Sequence, residues 1–582
     1  MKENITKKEE TIRHSLSHIM AHAVQELYPG TKFGIGPAIE NGFYYDFEFK
    51  KPLTNEDLPR IEEKIKKLIK ESIVFEKKLL SKKEAKKIFN NQIYKLELIK
   101  ELPGVKVSIY QSGNFIDLCK GPHVKSTEDI PPEAFKLTKI AGAYWRGSEE
   151  NKMLTRIYGV AFGSKKELDE YLKFQEEAEK RDHRVLGQKL DLFSISDEVG
   201  AGLVIFHPKG AVIRSVIEDF WKKEHKKREY RYVYSPHIGK LDLWKKSGHW
   251  EFYRESLYSP IEIEGVQYLL KPMNCPFHLQ VYKSKIRSYK ELPIRYCELG
   301  TVYRFEKAGT LHGLLRVRGF TQDDAHIFCM PNQINKEVEG VLDLACFMLN
   351  TFGFSNFEVE LSVRDPKNKI KYLGSDKIWK KAENALEYSL KQKGLKYRRA
   401  EGEAVFYGPK IDIKLIDALG RGWQGPTIQV DFNLPEKFDL NYIDEKGKKE
   451  RVVMIHHTVL GSVERFIGNL LEHYAGALPL WLSPVQIWII PIGSRHENYA
   501  QEVKEELLKE NPDLRIEIRD ENETVSKKIR GGEIQKIPYL LVVGDNEIKE
   551  NSVNVRSKNK NLGMMKINEF SEKVSSEIKD KK

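Results

Sequence analysis

Apolar positions repeat in different ways along this chain, and each repeat predicts a different kind of folding unit. From about Ile12 to Gly163, helical and strand patterns mix. Leu16, Ile19, Ala23 and Leu27 share one helical face. The stretch TKFGIGPAIENGFYYDFEF, broken at Gly36-Pro37 and Asn41-Gly42, predicts short strands and turns. Over residues 56–71, Ile61, Ile65, Leu68 and Ile69 keep helical spacing under a charged surface. Residues 164–190 are charged and helical, which predicts a linker helix. From Asp191 to Leu480, long helices alternate with β-rich runs grouped around Gly and Pro turns, the signature of a mostly antiparallel sheet. From Pro484, VQIWIIPI, LRIEIRD and YLLVVG alternate with helical stretches, which predicts a small α/β domain with a mixed or parallel sheet. The expected fold is α+β and multidomain, divided at 1–163, 164–190, 191–480 and 484–582.

Composition narrows this picture. A chain of 582 residues exceeds one hydrophobic core and divides into about three or four domains. No apolar run approaches the roughly 20 residues of a membrane span, and MKENITKKEETIRHS has no signal-peptide core. A cytoplasmic protein without a membrane partner is expected. The net charge of +12 suits a polyanion such as nucleic acid, although many basic proteins are simply solvated. Cys119, Cys275, Cys297, Cys329 and Cys346 are scattered without a CxxC pair, so neither a disulfide framework nor a zinc ribbon is indicated.

Familiar nucleotide motifs are missing. GVAFGSKK has the wrong spacing for a Walker A loop, GIGPAI lacks the third glycine of a dinucleotide fingerprint, and His237-Ile-Gly-Lys has no partner loop. Chemistry gathers instead between Lys271 and Phe328. There PIRYCELGTVYRFE and RVRGFTQDDAHIF flank the loop EKAGTLHGLL and present Arg304, Glu306, Arg316 and Arg318. Clustered arginines are costly to bury unless they meet anions; a solvated charged hairpin is the plain alternative. Near the end of the third region, VVMIHHTVLGSVERFIG reads as strand, glycine turn and helix, with Arg465 in the first helical turn. A phosphate is favoured there, whereas an arginine opposes the helix dipole. The N-terminal region adds His14-x-x-x-His18, both on one helical face, and Asp117-Leu-Cys119-Lys-Gly-Pro-His123.

These segments resemble motifs 2 and 3 of class II aminoacyl-tRNA synthetases, and IEDFWKKEHKKREYRYVYSPHIGK resembles motif 1, the dimer-forming element. Within the class, MNCPFH, YRFEKAGTLHGLLRVRGFTQDDAH, FYGPKID, WQGPTIQVDF and IHHTVLGSVERFIG resemble the threonyl family, in order and over nearly the whole chain. The resemblance implies an antiparallel catalytic core at 191–480, an N-terminal editing domain, a C-terminal anticodon-binding domain and a homodimer. It implies ATP-dependent activation of L-threonine and its transfer to tRNA(Thr). Arg304 is then expected on the α-phosphate and Arg465 on the γ-phosphate, with Lys410, Met273, Glu306, Arg316 and Ser462 lining the nucleotide pocket. Mg2+ accompanies the ATP. Gln322, Asp324, Tyr407, Gln424 and Gln429 are expected around the amino acid, with Zn2+ on Cys275, His326 and His456. His278 and His457 are not assigned as ligands, and His312 is expected on the nucleotide loop. Read alone, Cys275 would more often be a buried apolar residue.

The same resemblance makes His14, His18, Asp117, Cys119 and His123 a hydrolytic editing site for Ser-tRNA(Thr), read as metal-independent although HxxxH with CxxxH also suits a metal. Asn522, Lys536, Glu547 and Arg556 are expected to read anticodon bases; lysine at 536 replaces the usual arginine and loses its bidentate fork. A small ubiquitin-like domain common in the family is expected to be missing, since the HxxxH motif begins at residue 14. Two rivals remain: an RNA-binding relative without ligase activity, and a zinc hydrolase centred on the N-terminal His/Cys cluster. The latter lacks an HExxH helix, because position 15 is Ser15.

Overall fold

A computed structural model describes residues 7–416, 420 and 422–581. The chain divides into two compact units between Glu176 and Glu177.

In the first unit, α1 (Lys7–Leu27) and α2 (Leu58–Lys70) carry the predicted apolar faces. They pack on a sheet whose long strands are β1 (Gly42–Glu48), β5 (Phe135–Tyr144) and β6 (Met153–Ala161), with β6 in the middle. A second sheet pairs β2 (Phe75–Ser81), β3 (Lys106–Ser112) and β4 (Phe115–Leu118), all antiparallel. Buried Ile19, Met20, Phe43, Tyr45, Ile61, Ile65 and Phe115 share one core.

The expected single linker helix is two helices. α3 (Lys165–Arg181) ends at Asp182, whose carboxylate caps α4 (His183–Lys189) through the Arg184 N–H. Leu186 and Leu190 join the main core of the second unit, so α4 is built into that unit.

The second unit is organised by an eight-stranded sheet. Its strands are β7 (Arg231–Tyr232), β8 (Ile294–Tyr303), β9 (Gly319–Cys329), β10 (Phe357–Val363), β11 (Tyr397–Glu401), β12 (Lys410–Ile416), β13 (Gly422–Asp431) and β14 (Val453–Thr458). In space they run β7-β8-β9-β14-β13-β12-β10-β11. Only the two outermost pairs are parallel. Helices α5 (Pro208–Lys227), α7 (Ile334–Thr351), α8 (Asp376–Gln392) and α9 (Val463–His473), together with α4, contribute to the core on one face. Alternation along β9 sends Ala325 and Ile327 into this core and leaves Gln322, Asp324 and His326 for the opposite face. Register then aligns Tyr296, His326, His456, Gln429 and Lys410 in one row across five strands. Helix α6 (Cys275–Lys283) brings Cys275 to that row. Gly300 lets it approach, because a Cβ there would meet the Asn274 side chain at 2.5 Å.

Beyond Leu482 a five-stranded sheet begins, with β15 (Ile487–Pro491), β16 (Ile516–Ile518), β17 (Tyr539–Val543), β18 (Ser552–Ser557) and β19 (Lys560–Lys566) in the order β16-β15-β17-β18-β19. Parallel pairing at one end and antiparallel pairing at the other make it the mixed sheet expected.

Candidate active site and a second His/Cys cluster

The open face of the large sheet floors a cleft of 340 Å³, lined by every residue expected around the nucleotide, amino acid and metal except Arg316 and His312. Arg316, half-exposed, is not among the lining residues and pairs with Glu306 at 2.8 Å.

Two arginines dominate one end of the cleft. Arg304, just past β8, donates to the Pro272 carbonyl at 3.2 Å and lies over the Phe320 ring. Arg465 donates to the carbonyls of Leu315 and Gln424 at 3.0 and 3.2 Å. Burial, then the charges of Arg304 and Arg316, lower Arg465 to about 10. Among the described residues neither guanidinium is hydrogen-bonded to a carboxylate, so this end of the cleft has cationic charge to offer an anion.

The motif 3 turn is positioned by Asp323, a residue whose role sequence reading missed. Facing away from the cleft, it accepts from the N–H groups of Val459, Leu460 and Gly461 at 2.7–2.9 Å and from Trp221 Nε1 at 3.1 Å. Gly461 turns there with φ +90°, which a side chain would oppose. Ser462 lines the cleft while its Oγ caps α9 by accepting from the Arg465 N–H at 3.2 Å. The motif 2 loop is anchored by His183. Its Nδ1 lies 2.7 Å from Glu472, and its Nε2 accepts from the Leu314 N–H at 3.0 Å. Because Nε2 must be the acceptor, Nδ1 carries the proton and donates it. Asp182, His183 and Glu472 have metal-like spacing, but both ring nitrogens are spent on protein partners.

At the other end, the ligand atoms of Cys275, His326 and His456 lie within 4.8 Å of one another, all buried. His456 Nε2 is 2.9 Å from Asp431 Oδ2, leaving Nδ1 free. His326 Nδ1 is 2.8 Å from His278 Nδ1, leaving Nε2, 3.6 Å from Asp324 Oδ1, toward the cleft. Burial holds His326 well below the ordinary histidine value, which favours the neutral, ligating form. One thiol and two oriented imidazoles suit a zinc ion and leave a coordination position for another ligand. His457 instead faces Tyr230, with its Nε2 at 2.7 Å from the hydroxyl. His249, absent from the expected residues, has its Nε2 3.7 Å from the Cys275 sulfur, and burial lowers it to about 3. No spacing in the sequence marked it. Around this end, Tyr407 donates to Gln429 at 2.6 Å, Asn274 donates to Asp324 at 3.0 Å, and Gln424 donates to Asp412, which also pairs with Lys410. Gln322 Oε1 is buried with no hydrogen-bond partner among the described residues. His312 stacks on Trp423 in the loop region beside the cleft.

The first unit brings His14, His18, Cys119 and His123 together, again with ligand atoms within 4.8 Å. The Cys119 sulfur lies 3.4 Å from His14 Nε2 and 3.3 Å from His123 Nε2. His14 Nδ1 faces the Pro122 carbonyl and His123 Nδ1 faces Ser15 Oγ, both at 3.1 Å. Asp117 is 3.7 Å from His18, but it also accepts from Tyr45 at 2.6 Å and pairs with buried Lys95. Tyr45 and Lys95 were not foreseen, since they come from distant, apolar-looking contexts. Burial lowers all three histidines and lifts the Cys119 thiol to about 11.

In the last domain, Asn522 is exposed ahead of α10 (Val525–Ile534), and Lys536 follows that helix with φ +58°. Glu547 accepts from the Gly544 N–H at 2.9 Å, and Arg556 lies 3.8 Å from Glu533. Among the described residues the four share no hydrogen bond or ion pair with one another.

No helix among the described residues is long and apolar enough to cross a membrane. Three family models match the chain: the tRNA synthetase class II core domain (G, H, P, S and T) at 258–474, an anticodon binding domain at 486–577, and the threonyl and alanyl tRNA synthetase second additional domain at 107–158. A threonine–tRNA ligase of Dehalococcoides mccartyi strain CBDB1 is 54% identical over 572 residues, covering 98% of this chain and 97% of the relative. One from Aquifex aeolicus is 52% identical, covering 98% and 90%. A crystal structure titled as the RNA binding domain of threonyl-tRNA synthetase from Cryptosporidium parvum Iowa II aligns with TM-score 0.64 and 40% identity, over 68% of this chain and 98% of that one. Motifs, sheet topology and relatives agree that the chain belongs to the threonine–tRNA ligase family of class II aminoacyl-tRNA synthetases.

Proposed function

We propose that the protein activates L-threonine with ATP, transfers it to tRNA(Thr), and hydrolyses Ser-tRNA(Thr) at a separate site. The observation that carries this reading is one cleft with two half-buried arginines, neither hydrogen-bonded to a carboxylate among the described residues, at one end and the Cys275, His326 and His456 triad at the other.

Activation is an in-line attack of the threonine carboxylate on the α-phosphorus, so positioning and charge stabilisation carry the catalysis. Arg304 holds the α-phosphate and Arg465 the γ-phosphate. Met273, Glu306, Arg316, Lys410 and Ser462 shape the nucleotide pocket, and Mg2+ enters with ATP. Zinc held by Cys275, His326 and His456 would supply coordination for the α-amino group and side-chain hydroxyl of the substrate. Gln322, Asp324, Tyr407, Gln424 and Gln429 surround the amino acid, and the orphaned Gln322 Oε1 offers an acceptor. Valine is isosteric but lacks the hydroxyl, leaving polar groups of the site unpaired, which costs several kcal/mol on the order of. Serine keeps both donors and lacks one methyl, a difference of only about 1–3 kcal/mol.

That residual error gives the first unit its task. Neutral His14, His18 and His123, with Asp117 and Cys119, orient or activate water at the seryl ester without a metal. Asn522, Lys536, Glu547 and Arg556 meet the anticodon, and motif 1 at α5 and β7 forms a homodimer. The domains are an editing domain at 1–163, a linker at 164–190 with α4 docked on the core, a catalytic domain at 191–480 and an anticodon-binding domain at 484–582. The reaction belongs in the cytoplasm.

Pyrophosphate exchange tests the reading. Exchange is expected with threonine, more weakly with serine and barely with valine; no exchange with any of them refutes it.

A further inference from the structure

Behind the cleft wall, a line of buried polar groups leads from His326 to residues that none of the expected chemistry uses. His326 Nδ1 meets His278 Nδ1 at 2.8 Å, and His278 Nε2 meets Glu298 Oε2 at 3.1 Å. Glu298 also accepts from the Ser235 N–H and Oγ at 2.8 Å each, and Lys271 Nζ lies 3.5 Å from it while donating to Ser235 Oγ at 2.8 Å. Lys271, His278, Glu298 and His326 are all at most 4% exposed. Burial alone would raise the Glu298 carboxyl, but hydrogen bonds from His278 and Ser235 and the charge of Lys271 outweigh it and hold the group below the ordinary carboxylate value. A buried ion pair is a poor source of stability compared with apolar packing. Lys271, His278 and Glu298, spent in this way, need another reason.

Proton accounting supplies one. An ionised carboxylate only accepts, so His278 Nε2 must carry the proton that meets Glu298. A neutral His278 then has a bare lone pair on Nδ1. Only one proton fits between two Nδ1 atoms 2.8 Å apart, so it must be on His326. His326 is therefore left with an unprotonated Nε2, and that atom faces the cleft, 3.6 Å from Asp324 Oδ1. With His278 neutral, this is the arrangement that satisfies both hydrogen bonds of the line.

We propose that Glu298 and His278 are positioning residues: a two-step hydrogen-bond relay that fixes the His326 tautomer, so that Nε2 is presented as a metal ligand before any ion arrives. His456 reaches the same end by one step, with Asp431 taking the proton on Nε2. The proposal rests on the zinc reading above. Outer partners of this kind commonly change metal affinity by about 10–100-fold.

The test is zinc release from the full-length protein to a metallochromic chelator, with zinc content measured first by elemental analysis. Wild type is expected to carry one zinc per chain and Cys275→Ser none. His278→Leu removes the acceptor for His326 and should release zinc at least tenfold faster. His278→Gln keeps a carbonyl toward His326 and an amide donor toward Glu298, and should stay within about threefold of wild type. Cobalt-substituted protein gives a second readout: the visible d–d bands should shift in His278→Leu and not in His278→Gln. If His278→Leu fails to fold, Glu298→Leu serves, with the same acceleration expected. Wild-type release rates in the leucine variants, or equal acceleration in His278→Gln, overturn the relay while leaving the zinc reading intact. A wild-type protein without zinc overturns both.

Discussion

Among the described residues, two groups of histidines and a cysteine occur, one in each compact unit, and in each the donor atoms lie within 4.8 Å of one another. They differ in what stands behind them. Around Cys275, the outer nitrogens of His326 and His456 lead to the carboxylates of Glu298 and Asp431, and both routes are buried. Around Cys119, the outer nitrogens of His14 and His123 meet a peptide carbonyl and a hydroxyl, and the one nearby carboxylate, Asp117, 3.7 Å from His18, pairs with Lys95; Glu298 likewise has Lys271 at 3.5 Å, but Asp431 pairs with no lysine or arginine among the described residues. Ligand spacing alone therefore does not separate a cation site from a neutral one. Charge in the surrounding layer does, because a buried dication needs compensating anions. This contrast favours zinc in the cleft and uncharged imidazoles poised for proton transfer in the first unit.

The largest effect that can break the comparison comes from Cys275→Ala. It should abolish zinc binding and lower threonine-dependent exchange by about 10⁴-fold, since the reader of the hydroxyl is lost; full zinc content would remove Cys275 from the site. Next, His18→Ala or Cys119→Ala should slow hydrolysis of Ser-tRNA(Thr) by about 10²-fold or more and leave elemental zinc at one per chain. A fall of zinc from two equivalents to one in these variants would make the two clusters alike.

Acid sharpens the contrast further. His14, His18 and His123 have folded-state values below the ordinary histidine value, chiefly through burial. Below about pH 6.5 the unfolded chain takes up protons that these rings refuse, so stability is present above that pH and is lost as pH falls. The loss is about 1.4 kcal/mol per pH unit for each ring that stays neutral. Urea unfolding of the full chain between pH 7 and pH 5, monitored by hydrogen exchange in peptides of the first unit, should show this slope, and His123→Gln should flatten it. The smallest effect belongs to the third group, where His183 binds Glu472 and the Leu314 N–H rather than an ion. His183→Ala should cost about 1–3 kcal/mol by orphaning Glu472, with faster amide exchange over residues 304–318 and unchanged zinc.

Much of this was legible from residue order. The helical face of Ile61, Ile65 and Leu68, the strands flanking the motif 2 loop and the mixed last sheet follow from periodicity, which local sterics and burial impose on any chain of this pattern. Arg304, Arg465, Cys275, His326 and His456 stood in recognisable motifs. The break at Asp182 was not visible, because both helices keep the same charged spacing. Asp323 was indistinguishable from Asp324 until strand alternation sent one to the core and the other to the cleft. Tyr45, Lys95 and His249 lie far from any motif.

By itself, then, the sequence determined which elements form, in what order, and which side chains can carry the chemistry. Only the tertiary structure decided which atoms those side chains present. Cross-strand register set His326 beside His456, and hydrogen bonds from distant residues chose the nitrogen each ring keeps free. Such pairings depend on contacts hundreds of residues apart in some cases, as between His183 and Glu472, and local residue patterns hold no record of them.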